Sequence, residues 1–305
     1  MEFALQASGS YDTLLAAARW AEDRELACFA VPDHYLASLS MDGASAPAYD
    51  ALIQLAGLAR DTSIIRLSVL VSPVTFRHPA VLAKTGSTLD EISGGRFTLG
   101  IGTGWLDLEH EIFGIPYPPM TERFEHMEEA LAYVRAAASG TGFRGKHYNL
   151  QPTELNPKPS EGFELVVGGR GAVKTPTLAG RYADEFNVYP DSVDQMRLRI
   201  DLARREAAGV GRDPEALLIS SAGAVLVGRD EADYLDRLAA LAAESETSVE
   251  DLEARFELRN TPRGSAEQIR EQLADMASIG VTRFYVQARS DDMERTGETF
   301  NLIGG

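Results

Sequence analysis

The residues of this chain best suited to chemistry stand at the ends of short apolar runs. Asp33-His34 follows Val31-Pro32 and sets a carboxylate beside an imidazole. Ser72-Pro73 closes a third run, Gly102-Thr103-Gly104-Trp105 a fourth, Gly168-Gly169-Arg170-Gly171-Ala172 a fifth and Tyr189 a sixth. Gly168 to Ala172 opens a helical segment. Its backbone N–H groups and the charge of Arg170 offer a place to an anion. The same residues also make an ordinary tight strand-to-helix turn. Gly100-Ile101-Gly102-Thr103-Gly104 is no dinucleotide fingerprint, because its glycines alternate and end a strand instead of opening a helix. Glu109-His110-Glu111 has the composition of a metal site, but reads as a solvated loop or the start of a helix.

The elements that must position these residues alternate along the chain. Strands are expected at residues 2–6, 27–31, 65–71, 96–101, 164–167, 185–189, within 217–227, and at 283–287. Helical segments are expected at 11–25, 47–60, 79–92, 121–138, 172–182, after Asp191 as a cap, at 231–243, 249–256 and 293–303. Pro47 fits only the first turn of its helix, and Gly94-Gly95 is a stop signal for the third. Ser265-Ala266-Glu267-Gln268 is a capping-box pattern that opens a helix burying Ile269, Leu273 and Met276. Helical linkers force neighbouring strands to run parallel. Eight such units predict one α/β domain over residues 1–305, a (β/α)8 TIM barrel. An insertion at 139–162 separates the helix of the fourth unit from strand five. A doubly wound open sheet is the other architecture compatible with the pattern.

In a barrel the strand ends named above share one mouth, and several barrel chemistries can then be set aside. No His-x-His pair marks a metal-dependent amidohydrolase. Lysine occurs only four times, at Lys84, Lys146, Lys158 and Lys174, and none falls in a strand, which excludes a Schiff-base aldolase. Strand four ends in glycines, so one carboxylate of a glycoside hydrolase pair has no carrier. Of the strand-end acids an enolase-type metal site needs, Asp33 alone is well placed, and no metal is expected. The 305 residues carry a net charge of −17, a field that opposes nucleic acid and anionic membranes. One cysteine, Cys28, allows no disulfide within the chain. Neither an apolar run of ~18 residues nor a basic leader is present. A cytoplasmic protein acting on a small molecule is expected.

The chain resembles the bacterial luciferase-like monooxygenase superfamily, in particular its branch dependent on the deazaflavin coenzyme F-420. The resemblance is carried by Val31-Pro32-Asp33-His34, by the stretch from Thr75 to Lys84, and by the stretch from Thr88 to Trp105. Gly168-Gly169-Arg170-Gly171, Arg181-Tyr182-Ala183-Asp184 and residues 265–287 continue it. It implies a coenzyme lying across the mouth, Asp33 and His34 beside its ring, and His34 in proton transfer, a role suited to a group that titrates near neutrality. It implies a non-proline cis peptide in strand three at Leu70, Val71 or Ser72. Ser72, Thr103 and Gly104 match coenzyme-contacting positions, and Gly168, Gly169, Gly171 and Ala172 match the phosphate loop. One departure is chemical. Sugar-phosphate dehydrogenases of this family carry a catalytic glutamate where this chain has Trp105, which cannot accept a proton. Trp105 and Tyr189 instead suit the wall of an apolar substrate pocket.

The resemblance leaves three functions. The first is a hydride-transferring oxidoreductase using coenzyme F-420. The second is an FMN-dependent monooxygenase supplied with reduced flavin by a separate reductase. The third is a barrel that binds a flavin or other ligand without turnover. Asp33-His34 and Gly-Thr-Gly-Trp favour the first. A homodimer is expected from the resemblance.

Overall fold

Strand alternation sorts the side chains of this protein into two layers, and that sorting builds its barrel. The structure is a computed structural model that describes residues 1–37 and 46–304. Its strands are β1 (Glu2–Ser8), β2 (Cys28–Val31), β3 (Arg66–Pro73), β4 (Phe97–Gly102), β5 (Glu164–Gly169), β6 (Glu185–Val188), β7 (Leu218–Gly223) and β8 (Arg283–Arg289). They close in the order β1-β8-β7-β6-β5-β4-β3-β2 with every neighbour parallel. This is an α/β TIM barrel, the first of the two architectures that the alternating pattern allows.

Outward-facing Leu5, Phe29, Leu67, Val69, Phe97, Leu99, Leu165, Val167, Phe186, Ile219 and Phe284 are buried beneath the helices. Burying each such side chain contributes about 1.5–3 kcal/mol relative to leaving it in water. Ala4, Cys28, Ala30, Leu70, Val166 and Tyr285 form a separate cluster inside the barrel. The amino end of the barrel is closed by charge. Arg283 donates to Glu185 at 2.8 Å and to Glu2 at 2.9 and 3.1 Å, and Arg66 donates to Glu164 at 2.7 Å.

The helices around the barrel are α1 (Tyr11–Asp23), α2 (Ala51–Asp61), α3 (Pro79–Ser93), α4 (Asp107–Phe113), α5 (Met120–Ala138), α6 (Lys174–Tyr182), α7 (Val193–Gly209), α8 (Glu231–Glu244), α9 (Val249–Arg259), α10 (Ala266–Ser278) and α11 (Met293–Ile303). Gly94 ends α3 in the left-handed conformation at φ 72°. Ser265 and Gln268 form the reciprocal capping box expected at α10. Residues 139–162 contain a two-stranded excursion, Phe143–Arg144 against Asn149–Leu150.

Two local expectations are corrected. Helix α2 starts at Ala51 with Asp50 as its cap, and Pro47 instead pairs with Leu36 in a short antiparallel ladder. Ser192, not Asp191, caps α7, because the Asp191 carboxylate is engaged by Arg199 at 2.6 Å. Strand β7 lies within residues 217–227 as expected, and the following Leu226–Gly228 pairs with Arg263–Ser265 outside the barrel. After Trp105 the chain forms α4, so residues 109–111 lie in a helix, one of the two readings given for them.

One irregularity shapes the mouth. In β3 and β4, Val69 pairs with Leu99 but Ser72 pairs with Ile101, so β3 carries one extra residue. The bond between Leu70 and Val71 is cis. The Leu70 carbonyl accepts from Gln6 at 2.5 Å, and Gln287 in turn donates to Gln6 at 2.7 Å. Val71 lies against three glycines. A Cβ at Gly100, Gly102 or Gly168 would come within 2.9, 2.7 and 3.2 Å of its methyl groups. At Gly100 a Cβ would also sit 2.1 Å from the Val69 carbonyl oxygen, which is backbone and cannot step aside. Gly100→Ala is therefore expected to destabilise the protein by about 1–3 kcal/mol. Chemical denaturation checks this, and a wild-type midpoint would contradict the close packing described.

Candidate active site at the carboxyl mouth of the barrel

Each of the loops that carry candidate residues leaves the same end of the barrel. His34 follows β2, Ser72 ends β3, Thr103 to Trp105 follow β4, Gly168 to Ala172 run from β5 toward α6, and Tyr189 follows β6. Ring closure brings them to one mouth.

His34 is partly exposed, with a side-chain exposure of 22%, and it does not stand alone. Its Nδ1 lies 3.0 and 3.1 Å from the two carboxylate oxygens of Glu109 on α4. Glu109 is 1% exposed and also accepts from the Leu36 N–H at 2.9 Å. A carboxylate facing Nδ1 places the imidazole proton there and leaves Nε2 as the ring's basic atom. Trp105 meets His34 edge-on, with ring centroids 5.6 Å apart, and is itself 63% exposed. The indole and the working face of the imidazole thus border the same space.

Asp33 is buried to 1% exposure. It accepts from Ser72 Oγ at 2.6 Å and forms a short ion pair with Arg77, which also donates to Asp50 at 2.5 Å. Burial opposes charge on Arg77, but Asp33 and Asp50 hold its guanidinium protonated above the ordinary range. These contacts fasten the end of β2 to the end of β3 and to the cap of α2.

The phosphate-type loop has the features of an anion site. Helix α6 begins after Val173, which provides no side-chain cap, so the N–H groups of Lys174 and Thr175 keep their donor capacity, while Pro176 has none to offer. Gly169 has a φ of 151°, in the region that favours glycine. Arg170 lies over the Tyr189 ring at 4.5 Å, and Lys174 over Phe124 at 5.4 Å. Among the described residues, no group of three or more His, Cys, Asp or Glu is placed to hold a metal ion.

The residue that sequence reasoning misjudged is Glu109. The 109–111 triplet reads in the sequence as a solvated loop or the start of a helix; it does lie in α4, but it is not solvated throughout. Instead Glu109 and His110 are buried, the latter with Nε2 at 2.7 Å from Thr75 Oγ1 and Nδ1 at 2.8 Å from the Leu106 carbonyl. The available signal was the glycine at 114, which closes a seven-residue helix in the left-handed conformation. Gln6, Arg77 and Arg123, each bonded to a mouth residue, were likewise not singled out.

Comparison with known proteins agrees with this arrangement. A family model described as luciferase-like monooxygenase matches residues 2–283. A pyrimidine monooxygenase, RutA, of Pseudomonas savastanoi pv. phaseolicola is 33% identical over 135 residues, covering 43% of this chain and 37% of the relative. An F420-dependent glucose-6-phosphate dehydrogenase of Kineococcus radiotolerans is 33% identical over 171 residues, covering 54% and 49%. The aligned part therefore spans less than half the length of either relative. Among solved structures, an F420-dependent secondary alcohol dehydrogenase in complex with an F420-acetone adduct superposes with a TM-score of 0.78 at 19% identity, covering 99% of this chain and 96% of the other. The oxygenating constituent of 3,6-diketocamphane monooxygenase of Pseudomonas putida, in complex with FMN, has a TM-score of 0.71 at 18% identity, covering 99% and 96%. At these identities the two structures establish the fold alone.

The buried Asp33–Arg77 pair yields a prediction. Asp33→Ala leaves the guanidinium with half of its compensation and is expected to cost about 3–5 kcal/mol. The double variant Asp33→Ala/Arg77→Met removes the stranded charge as well and is expected to be more stable than the single one. Urea denaturation of both checks this. A double variant less stable than Asp33→Ala would show that the pair is not the source of the loss.

Proposed function

Because the chain belongs to the luciferase-like monooxygenase family, we propose that it is an oxidoreductase that takes coenzyme F-420 at the barrel mouth and moves a hydride between that coenzyme and an organic substrate. The observation that carries this reading is the pairing of His34 Nδ1 with buried Glu109 at 3.0 Å, on the rim of a glycine-lined mouth.

The residues present fit such a coenzyme. Gly102 and Gly168 leave Val71 uncovered where a Cβ on either would crowd it, which suits a flat ring. The uncapped start of α6, with Arg170 and Lys174 beside it, suits a phosphate-bearing tail. The net charge of −17 repels an anionic coenzyme, so these local donors must provide its binding. When bound, the deazaflavin ring exchanges a hydride with a carbon atom.

The chain's own residues provide the proton chemistry. With Nδ1–H held by Glu109, His34 Nε2 takes a proton from a substrate hydroxyl in one direction and returns it to a carbonyl oxygen in the other. The positive charge that forms on the imidazole is stabilised by the carboxylate behind it, a role that Glu109 fills without taking up the proton itself. Asp33, Ser72 and Arg77 keep the strand ends in place. Trp105 gives the substrate an apolar wall and no second proton carrier. This argues against a sugar phosphate as substrate and for a small organic alcohol or ketone with an apolar flank.

Two measurements test the reading. Titration of the apoprotein is expected to show binding of F-420 and little of FMN. Tight FMN binding with no deazaflavin binding would instead make the protein a flavin-dependent monooxygenase served by a separate reductase. On active enzyme, His34→Ala is expected to lower kcat by about 10²–10⁴ while leaving coenzyme affinity near wild type. Glu109→Gln is expected to lower kcat by about 10–100-fold, the scale at which residues supporting a working histidine act. Full turnover by His34→Ala would remove the assignment.

A further inference from the structure

The mouth holds a buried cation that the chemistry above does not use. Arg123, in the first turn of α5, is 5% exposed. Its guanidinium lies over the Tyr117 ring at 3.9 Å. Nη1 donates to the Gly104 carbonyl at 2.5 Å and, more weakly, to that of Thr103 at 3.4 Å. Nε is buried without a partner, and no carboxylate pairs with Arg123 among the described residues. A buried arginine ordinarily comes with a carboxylate, because taking its charge out of water is costly. Its place is unfavourable in a second way, since the first turn of a helix is the positive end of the helix dipole. Stability alone does not account for a cation there.

The backbone that Arg123 grips explains more. In a trans peptide the carbonyl and the N–H point in opposite directions. The Thr103–Gly104 and Gly104–Trp105 bonds are not among the cis bonds of the chain. With both oxygens drawn toward Arg123, the N–H groups of Gly104 and Trp105 face away from α5. Neither N–H has an acceptor among the described residues. The φ of 76° at Gly104 permits this turn, and a Cβ there would press on Pro73 and Thr75 at 3.3 Å. Successive N–H groups facing one way form an anion-binding concavity. The guanidinium behind the carbonyls polarises both peptides in the same sense.

We propose that Arg123, acting through these two peptides, makes the Gly104 and Trp105 N–H groups a binding site for an oxygen that carries negative charge. The inference rests on the reading above that a flavin-type ring binds at the mouth. Two sources supply such an oxygen: a ring carbonyl of the electron-rich reduced coenzyme, and the reacting oxygen of the substrate. Arg123 is a positioning residue in either case, since it reaches the ligand through backbone.

The test compares wild type with Arg123→Met and Arg123→Lys. Each is titrated with F-420 and with FMN, in oxidised and reduced form, and then assayed for turnover with thermal melting as a control. If the ring is the source, Arg123→Met weakens the reduced form by about tenfold or more relative to the oxidised form, and lysine restores part of the difference. If the substrate is the source, both redox forms bind as in wild type and kcat falls by about tenfold or more. Equal weakening of both forms with kcat unchanged would mark a merely structural role and overturn the proposal. So would wild-type binding and turnover in a folded Arg123→Met. Should that variant fail to fold, Arg123→Lys carries the same comparison, because an ammonium keeps the charge but not the planar grip on two carbonyls. Binding of FMN in place of F-420 would overturn the coenzyme assignment alone, since the Arg123 comparison is made on whichever coenzyme binds.

Discussion

The mouth of this barrel depends on one buried carboxylate. Glu109 lies in a helix of seven residues, too short to be stable by itself. Its side chain reaches across to the loop after β2, where it meets His34 Nδ1 and the Leu36 N–H. A carboxylate removed from water is tolerated only when hydrogen-bonded, so the loop after β2 and helix α4 are each conditions for the other. His110, the next residue, fastens the same helix to Thr75 after β3. Three loops are thereby tied into one surface, and the histidine on it has a defined proton position.

Beneath that surface the constraint is steric. The extra residue in β3 pushes Val71 toward the barrel axis, and Gly100, Gly102 and Gly168 are the residues that can face it. Next to Val71 the mouth is therefore low in side chains, and the polar groups named above stand at the strand ends around it. This separation matters for a chain of net charge −17. A general basic surface is not available to attract an anion, so attraction must come from oriented donors: the start of α6, Arg170 stacked on Tyr189, and the peptides held by Arg123. Donors of this kind act over short distances and select position as well as charge.

The barrel was legible in the sequence because each βα unit repeats its own signals, apolar runs that end in turn residues and helices with caps. Ser265 with Gln268 and Gly94 are cases in which local chemistry determined the element end directly. Asp33-His34, Trp105 and the glycine loop were found because barrel topology sends strand ends to one place. Glu109 was misjudged for a physical reason. A charged residue is usually solvated, and nothing in Leu108-Glu109-His110 reveals that a histidine 75 positions away will supply its partner. Arg123 was overlooked on the same ground, since on a helix wheel it is one polar residue beside Phe124 and Met127. Strand seven lies within the range expected for it, but nothing local shows that Leu226–Gly228, which also has strand character, finds its partner outside the barrel. Long-range pairing decides such cases, and no window of local sequence contains it.

The central claim is that Glu109 holds the proton of His34 on Nδ1 and leaves Nε2 free to work. The tautomer of that ring can be read directly from ¹⁵N–¹H correlation spectra of histidine-labelled protein, with His34 assigned by comparison with a His34→Gln variant. Under conditions where the ring is neutral, the account predicts a protonated Nδ1 and a bare Nε2, and loss of that preference in Glu109→Ala. A neutral His34 carrying its proton on Nε2 in the wild-type protein would contradict it.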